Sequence, residues 1–319
     1  NRFFFSRIAH TKTPTHTQQI PATTPEGIAM RNTMHTRVKS DAFVPAGGRP
    51  NTINISNYKA FLDENTGEPC SPLIVEGANL FVTPMARRAL FDEGGVPIVK
   101  DSSANKCGVI TSSYEILSSM VASEDEFLQH KDRIVEDVQD NLRHLARIEA
   151  ELLFREFNAN GRKIALPQIS NKISQAIIRT HDAIYNMLGN EEEIQHVLSD
   201  QSDTTREIIM DHIPKELRDI VMNANDTEER FMRIPTTYRR SIVASALSSR
   251  IVYAEGLGFV EKVQDDVMLG EAVKKYVRVV DDVERLKRTV DACEGLKEED
   301  RMELVRLLGS PGIAAAMST

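Results

Sequence analysis

Apolar positions in the first third of the chain fall into three short runs, residues 42–44, 73–75 and 96–99, each followed by small or polar residues and then by a helix-like segment. Between the first two, Asn54 or Ser56 can cap a helix through Leu62, and Gly67 and Pro69 break the chain. Between the second and third, Thr83 caps, Pro84 takes the first helical position, and Gly94 and Gly95 terminate. After the third run, residues 109–122 read as another helix. Short, continuously apolar strands alternating with helices are the pattern of a parallel sheet covered on both faces. The pattern therefore predicts a partial doubly wound α/β sheet. Its functional residues are expected where such sheets carry them, in the loops at the carboxyl ends of the strands: "PAGGRPN" (45–51), "EGANLFVT" (76–83) and "DSSANKCGV" (101–109).

From Ser123 onward the period becomes purely helical. Ser123 and Glu126 have the spacing of a capping box, and Phe127, Ile134, Val138, Leu142, Leu145 and Leu152 recur at helical steps up to a stop at Gly161. A second helix is expected over 171–188, capped by Ser170 and ended by Gly189. A third follows Pro235 with Ile242, Val243, Ala246, Leu247, Ile251 and Ala254 on one face. Two more fit 270–293 and 298–308. Such stripes are packing surfaces and carry no chemistry. The expected architecture is α/β followed by all-α: an irregular segment over 1–30, part of a doubly wound α/β domain over 31–122, and a helical region over 123–319.

Composition sharpens this picture only in places. The 319 residues, 41% hydrophobic, suffice for a substantial core. The net charge of −8 is uneven, +5 over the first fifty residues and −10 over 123–319, so nucleic acid is not an expected partner of the long acidic part. Cys70, Cys107 and Cys293 fit neither a disulfide framework nor a zinc site, and they suit a reducing compartment. His10 and His16 lack ligand spacing, and no metal is expected. No apolar run reaches the length of a membrane span. Residues 1–25, basic and Thr-rich without an acid until Glu26, have the composition of a transit peptide. The compartment stays open between cytoplasm and mitochondrial matrix.

Read physically, Asn79 and Asn105 each place a carboxamide, donor and acceptor together, just past a strand end, where a planar amide or a ribose hydroxyl can be read. Gly47, Gly48, Gly77 and Gly108 let backbone approach a ligand closely. Glu76, Asp101 and Glu115 form a conceivable carboxylate set, with Asp101 more simply capping the loop that follows it. Arg31, His35, Arg37 and Lys39 are a small basic cluster within reach of a phosphate, or else a solvated face. "RRS" at 239–241 reads as a helix start.

"DAFVPAGGRPNTINISN" (41–57), "IVEGANLFVTPMAR" (74–87) and "VKDSSANKCGVITSSYE" (99–115), in this order, resemble the coenzyme domain of glutamate dehydrogenases, closest to the large NAD-dependent class. The likeness is dense over 30–122 and extends more loosely to "LARIEAELLFREF" and "SSRIVYAEGLGF". It implies NAD as cofactor, with Gly47 beside the coenzyme through its backbone, Asn79 at the nicotinamide-side ribose, and Asn105 on the nicotinamide carboxamide. It also implies that Val109 and Ser112 face the amino acid, the Ser112 hydroxyl donating to its distal carboxylate from the start of a helix. The implied reaction is oxidative deamination of L-glutamate to 2-oxoglutarate and ammonia.

The sequence departs from that pattern at Cys107, where the family usually has glycine, a problem only if φ there is positive. It also holds no G-x-G-x-x-G and no upstream substrate domain with the lysines and aspartate of the imino-acid chemistry. The expectation is therefore a carboxyl-terminal fragment with no catalytic residue of its own, inactive alone, and homo-oligomeric through its helices. The alternative is a non-enzymatic helical assembly or regulatory module that keeps a structural remnant of the sheet.

Overall fold

The computed structural model describes residues 20–300 apart from 22, 48, 191–202, 264–265, 294 and 298. His10, His16, most of the transit-like segment, Gly48 and nearly all of the helix expected over 298–308 lie outside the described residues.

Two of the three apolar runs are strands. β1 (Ile74–Val75) and β2 (Ile98–Val99) pair in parallel, Ile74 opposite Ile98 and Val75 opposite Val99. The first run contributes a single parallel bridge, from Phe43 to Ile74. It stops there because Pro45, two residues on, has no N–H to give a ladder. A second parallel bridge joins Ile53 to Val82. The molecule is thus mostly helical, with a small parallel sheet where a three-stranded one is expected.

Preceding the sheet is α1 (Pro25–Asn32). Between the strands runs α2 (Pro84–Gly94), with the predicted punctuation: Thr83 Oγ1 accepts from the Ala86 N–H at 3.3 Å, Pro84 leads, and Gly95 caps at φ 61°. The helix expected to run through Leu62 is only a 3-10 turn, Tyr58–Phe61. Asn54 Oδ1 accepts from the Ser56 N–H at 2.9 Å and Asn57 Oδ1 from the Asn54 N–H at 2.8 Å. These local side-chain bonds offer the backbone an alternative to the helix.

Behind β2, the stretch expected as a loop over 101–109 is largely helical. α3 (Asp101–Ala104) begins at once, and α4 (Cys107–Val121) follows after only Asn105 and Lys106. The acid in the first turn of α3 suits a helix N-terminus. The long α5 (Glu124–Ala159) has the full capping box, Ser123 Oγ accepting from the Glu126 N–H and Glu126 Oε2 from the Ser123 N–H, and Gly161 ends the segment at φ 61°.

α6 (Leu166–Asn190) starts before the expected Ser170 cap and includes Gly189. Pro167 is pre-organised for the first turn, and Ser170, buried within the helix, caps nothing. The remaining helices are α7 (Asp203–Met210), α8 (Lys215–Met222), α9 (Thr227–Met232), α10 (Thr236–Glu255), α11 (Leu257–Lys262) and α12 (Asp266–Asp291). Among the described residues no helix is long and apolar enough to cross a membrane.

Three packed clusters hold these elements. Ile53, Phe61, Ile74, Leu90, Val96 and Ile98 fill the core around the sheet. Leu117 and Val121 of α4 join Ile184, Ile209, Leu247 and Ile251 in the core of the helical region. A third cluster, with Leu152, Phe157, Leu166 and Ile169, takes in Phe91 of α2 and Val99 of β2. The helical region thereby covers one side of the sheet, each fully buried large side chain contributing about 1.5–3 kcal/mol.

Candidate functional site

Because β1 and β2 run in parallel and in register, they deliver the chain to the same edge, Glu76 after one and Asp101 after the other. Glu76 is fully buried. A buried carboxylate without partners would cost several kcal/mol. Here Oε1 accepts from the Val82 N–H at 2.9 Å, and Oε2 accepts from the Asp101 N–H at 3.2 Å and from Arg87 Nη2 at 2.7 Å. Burial pushes the Glu76 carboxyl up, while Arg87 and the Val82 N–H pull against it.

The same Arg87 nitrogen reaches Asp101 Oδ1 at 3.1 Å. Burial pulls Asp101 upward, but the Leu80 N–H, Arg87, the Ser102 N–H and Lys100 together hold it below the ordinary carboxylate value. Asp101 does serve its own loop through Ser102, and it also crosses to the neighbouring one, Oδ2 accepting from the Leu80 N–H at 2.8 Å. Glu115, weighed with these carboxylates from sequence, lies exposed on α4. The member missed from sequence is Arg87, whose place beside Arg88 in an amphipathic helix looks like a solvated face.

Hung from these carboxylates, the 76–83 turn carries Leu80 at φ 55°, a left-handed conformation that costs a non-glycine residue about 1 kcal/mol. That turn puts Asn79 beside the β2 end, where Asn105 Nδ2 donates to Asn79 Oδ1. Two carboxamides read from separate loops are therefore neighbours. With that bond made, Asn105 keeps an acceptor and Asn79 two donors for a ligand.

Gly47 lies in an exposed bend with nothing within 4 Å of where a Cβ would stand. Its loop touches the 76–79 turn, since a Cβ on Gly77 would meet the Pro45 carbonyl oxygen at 3.1 Å. Side-chain amides from two loops and open backbone beside them offer hydrogen-bonding groups to a planar, hydroxyl-bearing ligand.

On α4, Val109 is 78% exposed and Ser112 is exposed with its hydroxyl donating to the Gly108 carbonyl at 2.9 Å. Ser112 stands in the second turn, because α4 begins at Cys107. The helix-start dipole expected at Ser112 therefore belongs to Cys107, Gly108 and Val109, since it fades beyond the first turn. Cys107 is exposed and helical, outside the positive-φ positions, so a side chain there is free of the strain that a glycine-requiring position would impose.

Three members of the basic cluster have local partners. His35 packs against Phe43 at 5.5 Å and Phe81 at 6.1 Å, burial lowering its pKa. Arg37 donates to the Met30 carbonyl at 2.6 Å, and Lys39 pairs loosely with Glu68. Arg239 and Arg240 belong to the first turns of α10, as expected of a helix start. Among the described residues no group of three His, Cys, Asp or Glu side chains could hold a metal ion.

Residues 5–163 match the family model described as glutamate/leucine/phenylalanine/valine dehydrogenase. The chain is 34% identical over 238 residues, 71% of its length, to a protein of Schizosaccharomyces pombe named probable NAD-specific glutamate dehydrogenase. It is 35% identical over 252 residues to the NAD-specific glutamate dehydrogenase of Saccharomyces cerevisiae and 35% over 246 residues to glutamate dehydrogenase 2 of Dictyostelium discoideum, 72% of the chain in both. It spans 20 to 22% of the length of these relatives. No solved structure matches.

Proposed function

Because residues 5–163 belong to the glutamate/leucine/phenylalanine/valine dehydrogenase family, we propose that the three strand-end loops form the nicotinamide half of an NAD site serving oxidative deamination of L-glutamate. The pairing of Asn79 with Asn105 at a shared sheet edge carries this reading. Bound there, the nicotinamide supplies the hydride acceptor. Asn105 orients the ring through its carboxamide, Asn79 holds the adjoining ribose, and Gly47 leaves room for the coenzyme against backbone. Val109 and Ser112, exposed on α4 just beyond, present an apolar contact and a hydroxyl to the amino acid, the hydroxyl turning from the Gly108 carbonyl to donate to the distal carboxylate. Holding the substrate carbon against one face of the ring is the main work such a site does.

The chain has no tryptophan, so NADH emission on titration reports binding without overlap from the protein. The 319-residue chain is expected to bind NADH saturably, and Asn105→Ala to weaken it by about tenfold, the worth of one well-made polar contact. Absence of saturable binding at millimolar NADH, or an unchanged dissociation constant in Asn105→Ala, would remove the basis of this reading.

A further inference from the structure

The turn that carries Asn105 is gripped from outside the sheet. Lys100 Nζ donates to Asn171 Oδ1 on α6, and Ser103 Oγ meets Ser170 Oγ of the same helix at 2.7 Å. Lys106 Nζ, one residue past Asn105, donates at 2.8 Å to Glu149 Oε2 on α5. The same carboxylate oxygen accepts the Tyr253 hydroxyl from α10. Glu149 is 6% exposed and Tyr253 partly buried. Burial, then the Glu149 charge, pushes the Tyr253 phenol up, so it stays a donor at neutral pH. The group stands at the wall of a cleft of about 1310 Å³ between α4, α5, α6, α10 and α12.

Glu149 and Tyr253 sit in the two tail segments, "LARIEAELLFREF" and "SSRIVYAEGLGF", which the loop motifs leave without a role. The structure interlocks these segments: Arg155 Nη2 donates to the Tyr253 carbonyl at 3.2 Å, and Glu156 Oε1 accepts from the Leu257 N–H at 3.2 Å. A buried carboxylate that takes a lysine from one side and a phenol from the other is satisfied only when all three elements are in place. Its alternative is an uncompensated buried charge, which is strongly disfavoured.

We propose that Glu149, held by Tyr253, is a positioning residue: through Lys106 it fixes the Asn105 turn in the geometry the coenzyme reads, so that the helical region is a working part of the nucleotide site. This rests on the reading of Asn105 as the nicotinamide contact. Glu149 itself touches only Lys106 and Tyr253 within this group and acts through them.

Hydrogen exchange resolved by peptide tests the grip without requiring turnover. The amides of Ser103, Ala104, Asn105, Val109 and Ile110 are bonded within the turn and the start of α4, so the peptide spanning residues 100–110 has protection to lose. In the full 319-residue chain, Glu149→Gln, Tyr253→Phe and Lys106→Met should each raise exchange in that peptide by about fivefold relative to the rest of the protein, the loss of one charge-assisted bond. Lys106→Arg, which keeps the cation, should restore protection. Glu126→Gln, the same change near the far end of the same helix, should leave this peptide unaltered relative to the rest. NADH affinity should fall in the three loosened variants and recover in Lys106→Arg. Unchanged exchange in Glu149→Gln and Lys106→Met overturns the proposal, and so does raised exchange with unaltered NADH affinity. A wild-type chain that binds no NADH refutes the coenzyme reading instead, while the exchange arms still decide whether the grip exists.

Discussion

Arg87 stands between two carboxylates, one fully buried and one half-buried, and its guanidinium is the cation that lets Glu76 stay inside. Replacing it with methionine preserves much of the apolar stem and removes the charge. Glu76 then faces two backbone N–H groups alone, and the expected loss is about 3–5 kcal/mol, the cost of breaking a buried pair from one side. Its pH dependence has a definite sign. Burial already raises Glu76 in the folded protein, and a carboxyl raised above its unfolded value loses stability as pH rises from the unfolded value through the folded one. Arg87→Met raises it further, so its deficit against wild type should be larger at pH 8 than at pH 5 in denaturant melts. An equal deficit at both would place the loss in packing. The two carboxylates were visible in the sequence as residues past strand ends. Their partner was not, because nothing in a run of helical residues distinguishes an inward arginine from an outward one.

Elements whose ends are written in local chemistry were legible for the same physical reason that they are stable. Thr83, Pro84 and Gly95 bound α2, and Ser123 with Glu126 opens α5. The 3-10 turn at Tyr58–Phe61 and the early start of α6 depart from the sequence pattern where side chains bond backbone locally, or where a proline can open a helix as readily as end one. The capping box at α5 also has a tertiary reach that spacing could not reveal: Arg230 of α9 forks onto Glu126 at 2.8 and 2.9 Å. That pairing, then the Ser123 backbone, holds the Glu126 carboxyl down to about 2. A depressed carboxylate contributes stability that is complete above its unfolded value and lost as pH falls through the folded one, here from about pH 5 toward pH 2. Glu126→Gln should therefore cost about 1–2 kcal/mol at pH 7, the range of a cap combined with a partly exposed ion pair. The cost should fade over that acid window. A melting-temperature deficit that persists undiminished at pH 2.5 would contradict the assignment.

At the scale of the whole molecule, the change of period at Ser123 marked where strands end, yet packing ignores that point. Phe91 and Val99 from the sheet side enter a cluster built by α5, α6 and α10, and α4 buries Leu117 and Val121 in the helical core. Such pairings join residues far apart in sequence and leave no periodic trace, which is why the covered sheet was expected but its cover was not identified. The consequence is cooperativity. Phe157 of α5 lies edge-on to Phe91 of α2, ring centroids 6.2 Å apart, and is 6% exposed. Phe157→Ala opens a cavity where sheet side and helices meet, and should cost about 3–5 kcal/mol. If the parts stand or fall together, wild type and variant each melt in one transition, and amides of β1 and β2 lose protection at the same denaturant concentration as those of α10. If the sheet residues instead exchanged first while α10 kept its protection, the two would be separate cooperative units. The helices could not then hold the Asn105 turn in a geometry shared by the whole molecule.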